Sequence, residues 1–229
     1  QVNTNTATYV GWQWKESATA GFDIVTYTGT GVARTVSHSL GVAPKMMIVK
    51  NRSGVYNWRV YAEPIGATKI LYLNATDASV TDTAWNNTAP TSSVFSLGAN
   101  SGVNANGDTF VNYLFAEIAG FSKFGSYTGN GSADGSFVYC GFKPKYVLIK
   151  SSSVATTDWY VQDATVNPSN VVTKYLYPNL SSAEQTNGII DFTSNGFKLR
   201  NTYAPQNQNG ATYIYAAFAE NPFKYSLAR

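Results

Sequence analysis

Residues 27–53 read "YTGTGVARTVSHSLGVAPKMMIVKNRS", and residues 127–153 read "YTGNGSADGSFVYCGFKPKYVLIKSSS". Set against each other 100 positions apart, Tyr27, Thr28, Gly29, Gly31, Gly41, Pro44, Lys45, Lys50 and Ser53 meet identical residues. A low-complexity tract does not hold register in this way. Small insertions then accumulate: Trp58 answers to Trp159, "FSL" at 95–97 to "FKL" at 197–199, Gly107 to Gly210, and "LFAE" ending at Glu117 to "AFAE" ending at Glu220. The chain therefore reads as two tandem copies of a unit of about 100 residues, an ordinary size for a single core. A remnant of the closing phrase, "VGWQWKE", ends at Glu16 before the first copy. Residues 9–16 read as a strand, either the last of a preceding unit or one that pairs into the first copy, and a first residue other than Met fits a chain cut from something longer.

Each copy has the same internal grammar. Pro44 and Pro144 force the residue before them into extended geometry, and the short apolar runs that follow, "KMMIVK" and "KYVLIK", are too short for globular helices. They predict buried central strands. "TFVNYLFAE" (109–117) and "TYIYAAFAE" (212–220) follow Asn-Gly turns and are rich in aromatic and branched residues. Both are apolar on both faces, which predicts a central strand or one packed against a neighbouring unit. Residues 75–85 and 181–192 have room for one helical turn each. The expected fold is all-β, with two tandem antiparallel β-sandwich or jelly-roll-like units related by internal duplication. The boundaries fall at 1–20 for the N-terminal strand, 21–120 for the first unit and 121–229 for the second. A single pseudo-twofold domain, in which the copies complete each other's sheets, is the alternative.

Composition narrows the function classes. Hydrophobic residues make up 44% of the chain and charged residues 13%, about half the usual charged share. Net charge is +3 with no basic cluster, so nucleic acid is not an expected partner. No apolar run reaches the roughly 18 residues of a membrane helix, and membrane insertion is not expected.

Candidate chemistry is sparse. His38 is the only histidine, and the 100-residue register sets Val138 in its place, so no His cluster or His-based triad recurs. Cys140 stands alone in an apolar strand and reads as a small buried hydrophobe. "GTGVAR" and "GNGSADG" lack the Gly-Lys-Ser/Thr ending of a phosphate loop and read as hairpin turns. The recurring carboxylates Glu16, Glu117 and Glu220 read as strand-end groups, and Asp158 beside Trp159 matches Asn57 beside Trp58 as a polar turn group. No catalytic residue, metal ligand or cofactor is expected, and the chain is not expected to be an enzyme.

Binding has more support, because aromatic residues reach 14% and aromatic faces hold sugar rings while neighbouring amides hydrogen-bond them. Trp58 and Trp159 recur and are expected in the core. Trp85, in "TAWNNTAP", and Tyr203, in "NTYAPQNQNG", have no counterpart and sit in Asn-rich loops, which makes them the candidate ligand-binding residues. The same aromatic surface suits contacts between subunits.

The run "FDIVTYTGTGVARTVSHSLGVAPKMMIVKNRS", followed by "NWRVY", "LYLNATDA", "WNNTAP" and "GDTFVNYLFAEIAGFSKFGSYTGNGS", resembles a tandem-repeat domain of unknown function found in tail-fibre-like and other virion proteins of tailed, mostly marine, bacteriophages. The resemblance runs from about Gly11 to Glu220. It implies a β-rich structural or adhesion module on the exterior of a virion, with a host cell-surface glycan or protein and other virion proteins as partners. It also implies a homo-oligomer, with a trimer favoured. The alternative is a self-associating capsid-decoration or filament subunit without a ligand; a polysaccharide-degrading enzyme ranks below both. In such proteins "VGWQWK" looks like the end of a preceding lectin-like domain. The resemblance carries over no catalytic residue.

Overall fold

Both faces of the closing strands have to be covered, and the chain covers them with two different partners. In a computed structural model, which describes residues 4–188 and 190–221, the first half contains β1 (Phe22–Thr28), β2 (Arg34–Ser37), β3 (Met46–Asn51), β4 (Arg59–Ala62), β5 (Lys69–Tyr72), β6 (Val80–Thr81), β7 (Val94–Leu97) and β8 (Thr109–Phe115). The second half contains β9 (Ser122–Thr128), β10 (Phe137–Tyr139), β11 (Pro144–Ser151), β12 (Trp159–Asp163), β13 (Ile190–Thr193), β14 (Gly196–Leu199) and β15 (Thr212–Ala219). Two one-turn helices, α1 (Ser101–Asn104) and α2 (Ala204–Asn207), precede the closing strands. The large sheets run β1-β8-β3-β4-β5-β6 and β12-β11-β15-β9, and the small ones β2-β7 and β10-β14-β13. All these pairings are antiparallel and lie within one half, so the all-β class is as expected and neither half completes the other's sheets.

The pairing scheme recurs. Met46 faces Phe115 and Val49 faces Asn112 across β3 and β8, while Tyr146 faces Phe218 and Ile149 faces Tyr215 across β11 and β15. The "YTG" phrase recurs as a clasp. Tyr27 stacks on Phe110 at 5.1 Å and its hydroxyl donates to the Val103 carbonyl; Tyr127 stacks on Tyr213 at 5.0 Å and donates to Gln206. A Cβ on Gly29 would lie 2.0 Å from the Ala105 carbonyl oxygen, and one on Gly129 2.3 Å from that of Gln208, so no other residue fits this approach of two backbones. Asn104 and Asn207, both wholly buried, tie the clasp. The Asn104 Oδ1 accepts from the Thr30 amide at 2.9 Å and its Nδ2 donates to the Val32 and Gly98 carbonyls. Asn207 does the same with Asn130, Ser132 and Asn201.

Three apolar clusters result. One lies between the sheets of the first half around Trp85, Phe95 and Phe110, and one in the second half around Phe197, Ile149 and Tyr213. The third joins the halves: Met46, Val60 and Leu71 pack against Leu148, Trp159 and Ile214. Alternation on the strands makes this possible, since Met47 and Val49 point into the first-half core while Met46 and Ile48 face the seam. Hydrogen bonds reinforce the seam. The Trp159 Nε1 donates to the Tyr72 carbonyl at 2.8 Å, and the Ser79 amide to that of Ser152 at 2.9 Å. Lys150 Nζ, fully buried, donates to the Thr157 carbonyl at 2.6 Å and across the seam to that of Thr76 at 3.2 Å.

Several expectations need correction. Residues 9–16 form no ladder; they lie extended beside the seam, with Trp14 edge-on to Phe115 and Phe218 and the Trp12 Nε1 donating to Asp163. A segment whose indoles plug the gap between two sheets needs no strand partner. The helical turns form at α1 and α2, and none forms among the described residues of 75–85 and 181–192, because the clasp needs carbonyls turned towards each "YTG". Trp58 is only half-buried, stacked at 6.5 Å on Tyr113, whereas Trp159 is 1% exposed. Val36 faces Phe95 as Val138 faces Phe197, so in space Val138 matches Val36 and not His38.

Asn104→Ala and Asn207→Ala should each lower stability by about 3 kcal/mol, since each orphans one buried amide and two carbonyls; urea unfolding against Asn106→Ala, at an exposed turn, measures it. Burial pushes the Lys150 ammonium down to about 8, against the pull of Asp158 and Asp77, whereas the unfolded chain holds that proton to about 10.4. Between these values the unfolded state binds more protons, so the cost of burying the charge is full below about pH 8 and is relieved as pH rises. Wild type should therefore gain stability relative to Lys150→Met between about pH 8 and 10 and run parallel to it below pH 7.5.

Candidate functional site

The two aromatic residues singled out in the sequence end in opposite environments. Trp85 is 0% exposed: consecutive left-handed residues, Asn86 and Asn87, turn the loop back and drive the indole into the first-half core. There it stands edge-on to Tyr61 at 5.9 Å and its Nε1 donates to the Lys69 carbonyl at 3.1 Å. Trp85 is a core residue and presents nothing to a ligand. Tyr203 is 43% exposed. Its carbonyl accepts from the Gln206 and Asn207 amides, as that of Asn100 does from Val103 and Asn104, so it replaces a capping asparagine of the first half. Its ring meets Tyr160 edge-on at 6.2 Å, and Tyr160 packs on Tyr175 and Tyr177, whose hydroxyls lie 3.1 Å apart. Burial, and then the bond with Tyr203, push the Tyr160 hydroxyl well above the ordinary phenol range.

A second aromatic surface escaped the sequence reading. On β10, Val138 points into the second-half core, so Phe137 and Tyr139 on either side of it point outwards, 48% and 60% exposed. Across the ladder Phe137 faces Lys198 and Tyr139 faces Gly196. Gly196 has no side chain to screen the tyrosine, and a Cβ there would lie 2.0 Å from the Val138 carbonyl oxygen. Beside the rings runs an ion-pair chain. Lys198 contacts Asp134 at 2.5 Å, and Arg200 contacts Asp134 at 3.6 Å and Asp191 at 2.5 Å. Lys198 holds the Asp134 carboxyl below its usual range. In the first half Thr35 and Ser37 flank Val36 on the matching strand. The alternation "FVY" was the available signal, hidden by the 100-residue register, which puts these residues two positions out.

The remaining candidates have structural places. Glu117 pairs with Lys123 at 2.7 Å and Glu220 with Lys143 at 2.9 Å, while Glu16 is exposed. Asp158 Oδ1 accepts from Asn179 as Asn57 Oδ1 does from Asn74. Cys140 is buried and burial pushes its thiol up to about 12; His38, in the other half, sits against the Thr91 carbonyl at 3.1 Å. Among the described residues no group of three or more His, Cys, Asp or Glu side chains is placed to hold a metal. Between the two large sheets lies a mainly apolar cavity of about 930 Å³.

No curated protein and no solved structure matches this chain. One family model does, described as "Domain of unknown function (DUF7483)", and it covers residues 1–222. The chain therefore belongs to the family of that domain of unknown function.

Proposed function

We propose that this chain is a structural and adhesion module of a bacteriophage virion, a tail-fibre or tailspike segment that presents β-domains to a host surface and takes a glycan on the outward aromatic face of its second half. The virion setting follows from the resemblance of the repeated phrases. The observation that carries the binding role is the distribution of exposed rings. Phe137, Tyr139 and Tyr203 stand where the first half has Thr35, Ser37 and Asn100, whereas Tyr27 and Tyr127, which recur, are spent on the frame. Phe137 and Tyr139, two residues apart on one strand, place their rings roughly 7 Å apart, a spacing that serves neighbouring sugar units. The carboxylates and cations beside them offer acceptors and donors to hydroxyls, and the ion pairs neutralise one another, which fits an uncharged polysaccharide. Exposed rings of this kind also serve contacts between copies of the chain, and the two roles separate on a column.

A glycan array and whole-cell binding, read on chain whose mass is fixed by light scattering, test the proposal. Phe137→Ala with Tyr139→Ala should weaken binding roughly tenfold or more, as loss of anchoring aromatics does, and leave the unfolding midpoint unchanged; Tyr203→Ala should do less. No binding by folded chain, with assembly that the double variant abolishes, replaces the adhesin by a self-associating subunit.

A further inference from the structure

The packing that joins the halves is incomplete on one side. Between the large sheets, the Trp12 and Trp14 indoles and the 174–184 segment lies a cavity of about 930 Å³. The pocket is open at one side, so apolar lining that a partner could cover is left facing water, and covering it is favourable in proportion to the area removed. The size lies within the usual range of small-molecule pockets. Its deep walls are Met46 and Phe115 from the first half and Leu148, Ala216 and Phe218 from the second, so neither half makes the cavity alone. Its mouth is marked by large apolar side chains left in water, Tyr9 at 53%, Val10 at 39% and Leu180 at 45% exposure. Among the described residues the only Lys, Arg, Asp or Glu on the lining are Lys174 and Glu184, paired at 2.9 Å and half-exposed.

We propose that this seam cavity binds the alkyl chain of a single-chain amphiphile whose head is uncharged and hydroxylated, such as an alkyl glycoside. The chain lies between the sheets, where Trp12, Trp14 and Phe218 cover it. The head stays at the mouth, where hydroxyls accept from the Lys174 ammonium and donate to the Glu184 carboxylate. Lys174 and Glu184 neutralise each other, so a charged head finds no net counter-charge there to offset the water it loses, and a neutral head is favoured over either. This site is separate from the Phe137 and Tyr139 face and does not depend on the adhesin reading.

The full chain is titrated by calorimetry with decyl glucoside, decanoate, decyltrimethylammonium and glucose, each alkyl probe below its micelle concentration. Saturable binding of one decyl glucoside per chain is expected, with a change in tryptophan emission from Trp12 and Trp14, no binding of glucose, and at least tenfold weaker binding of either charged probe. Ala183→Trp, at an exposed position on the mouth, should weaken decyl glucoside at least tenfold with an unchanged unfolding midpoint; Leu180→Glu serves if that variant does not fold. Absence of saturable binding overturns the site, as does equal affinity in a folded mouth variant. A charged probe that binds as tightly as the glucoside overturns the neutral head.

Discussion

A β-sheet that is apolar on both faces has to be covered twice, and the two large sheets are of this kind. β8 turns Phe110 and Leu114 into the first-half core and Phe115 towards the seam; β15 divides Tyr213 and Tyr215 from Ile214 and Ala216 in the same way. Each half covers one face of its large sheet with its own small sheet. The other face is left for the other half. The seam between them is therefore a third core, and Trp159, Leu71 and Val60 sink into it as deeply as residues inside either half. Separated halves would expose that face, since apolar area returned to water costs about 25 cal/mol per Å².

Within each half the sandwich closes through a polar device. A buried asparagine, Asn104 or Asn207, satisfies backbone groups of two loops that neither sheet reaches, while a glycine, Gly29 or Gly129, lets those backbones touch. Buried polar groups are costly unless paired, so the side chain and the loops specify each other. This explains the conjunction of "YTG" at the start of a copy with Asn-Gly before its last strand: the two phrases meet in space. The seam uses the same logic with a charge, because Lys150 donates hydrogen bonds to the Thr76 carbonyl on one side and to the Thr157 carbonyl and hydroxyl on the other.

The frame leaves certain places free. Where the first half has Arg59 over Tyr72 at 5.9 Å, the second has Tyr160 against Tyr177, with Tyr203 capping the group. Where Thr35 and Ser37 stand in one, Phe137 and Tyr139 stand in the other. The clasp residues Tyr27 and Tyr127, Gly29 and Gly129, and Asn104 and Asn207 are common to both halves, whereas the exposed rings of Phe137, Tyr139 and Tyr203 belong to one. A binding surface that changes without disturbing the fold belongs among the latter.

Local constraints were legible in the sequence. Proline before a short apolar run, Asn-Gly before an aromatic run, and glycines held in register at 29, 31 and 41 each act through backbone geometry within a few residues. They placed β3, β11, β8 and β15 and the all-β class. The two-faced apolar pattern of the closing strands even announced a neighbour. What depended on distant contacts was not legible. Trp85 lies in a polar loop, and only the turn at Asn86 and Asn87, closed against Tyr61 and Lys69, shows that its ring points inwards. Trp12 and Trp14 read as part of a strand, yet their place was decided by a gap between sheets that no single half contains. Phe137 and Tyr139 were visible as "FVY", but which member of an alternating triplet faces water was fixed by Phe197 and the core behind it. Local geometry is written in neighbouring residues; burial is decided by whatever arrives from elsewhere in the chain.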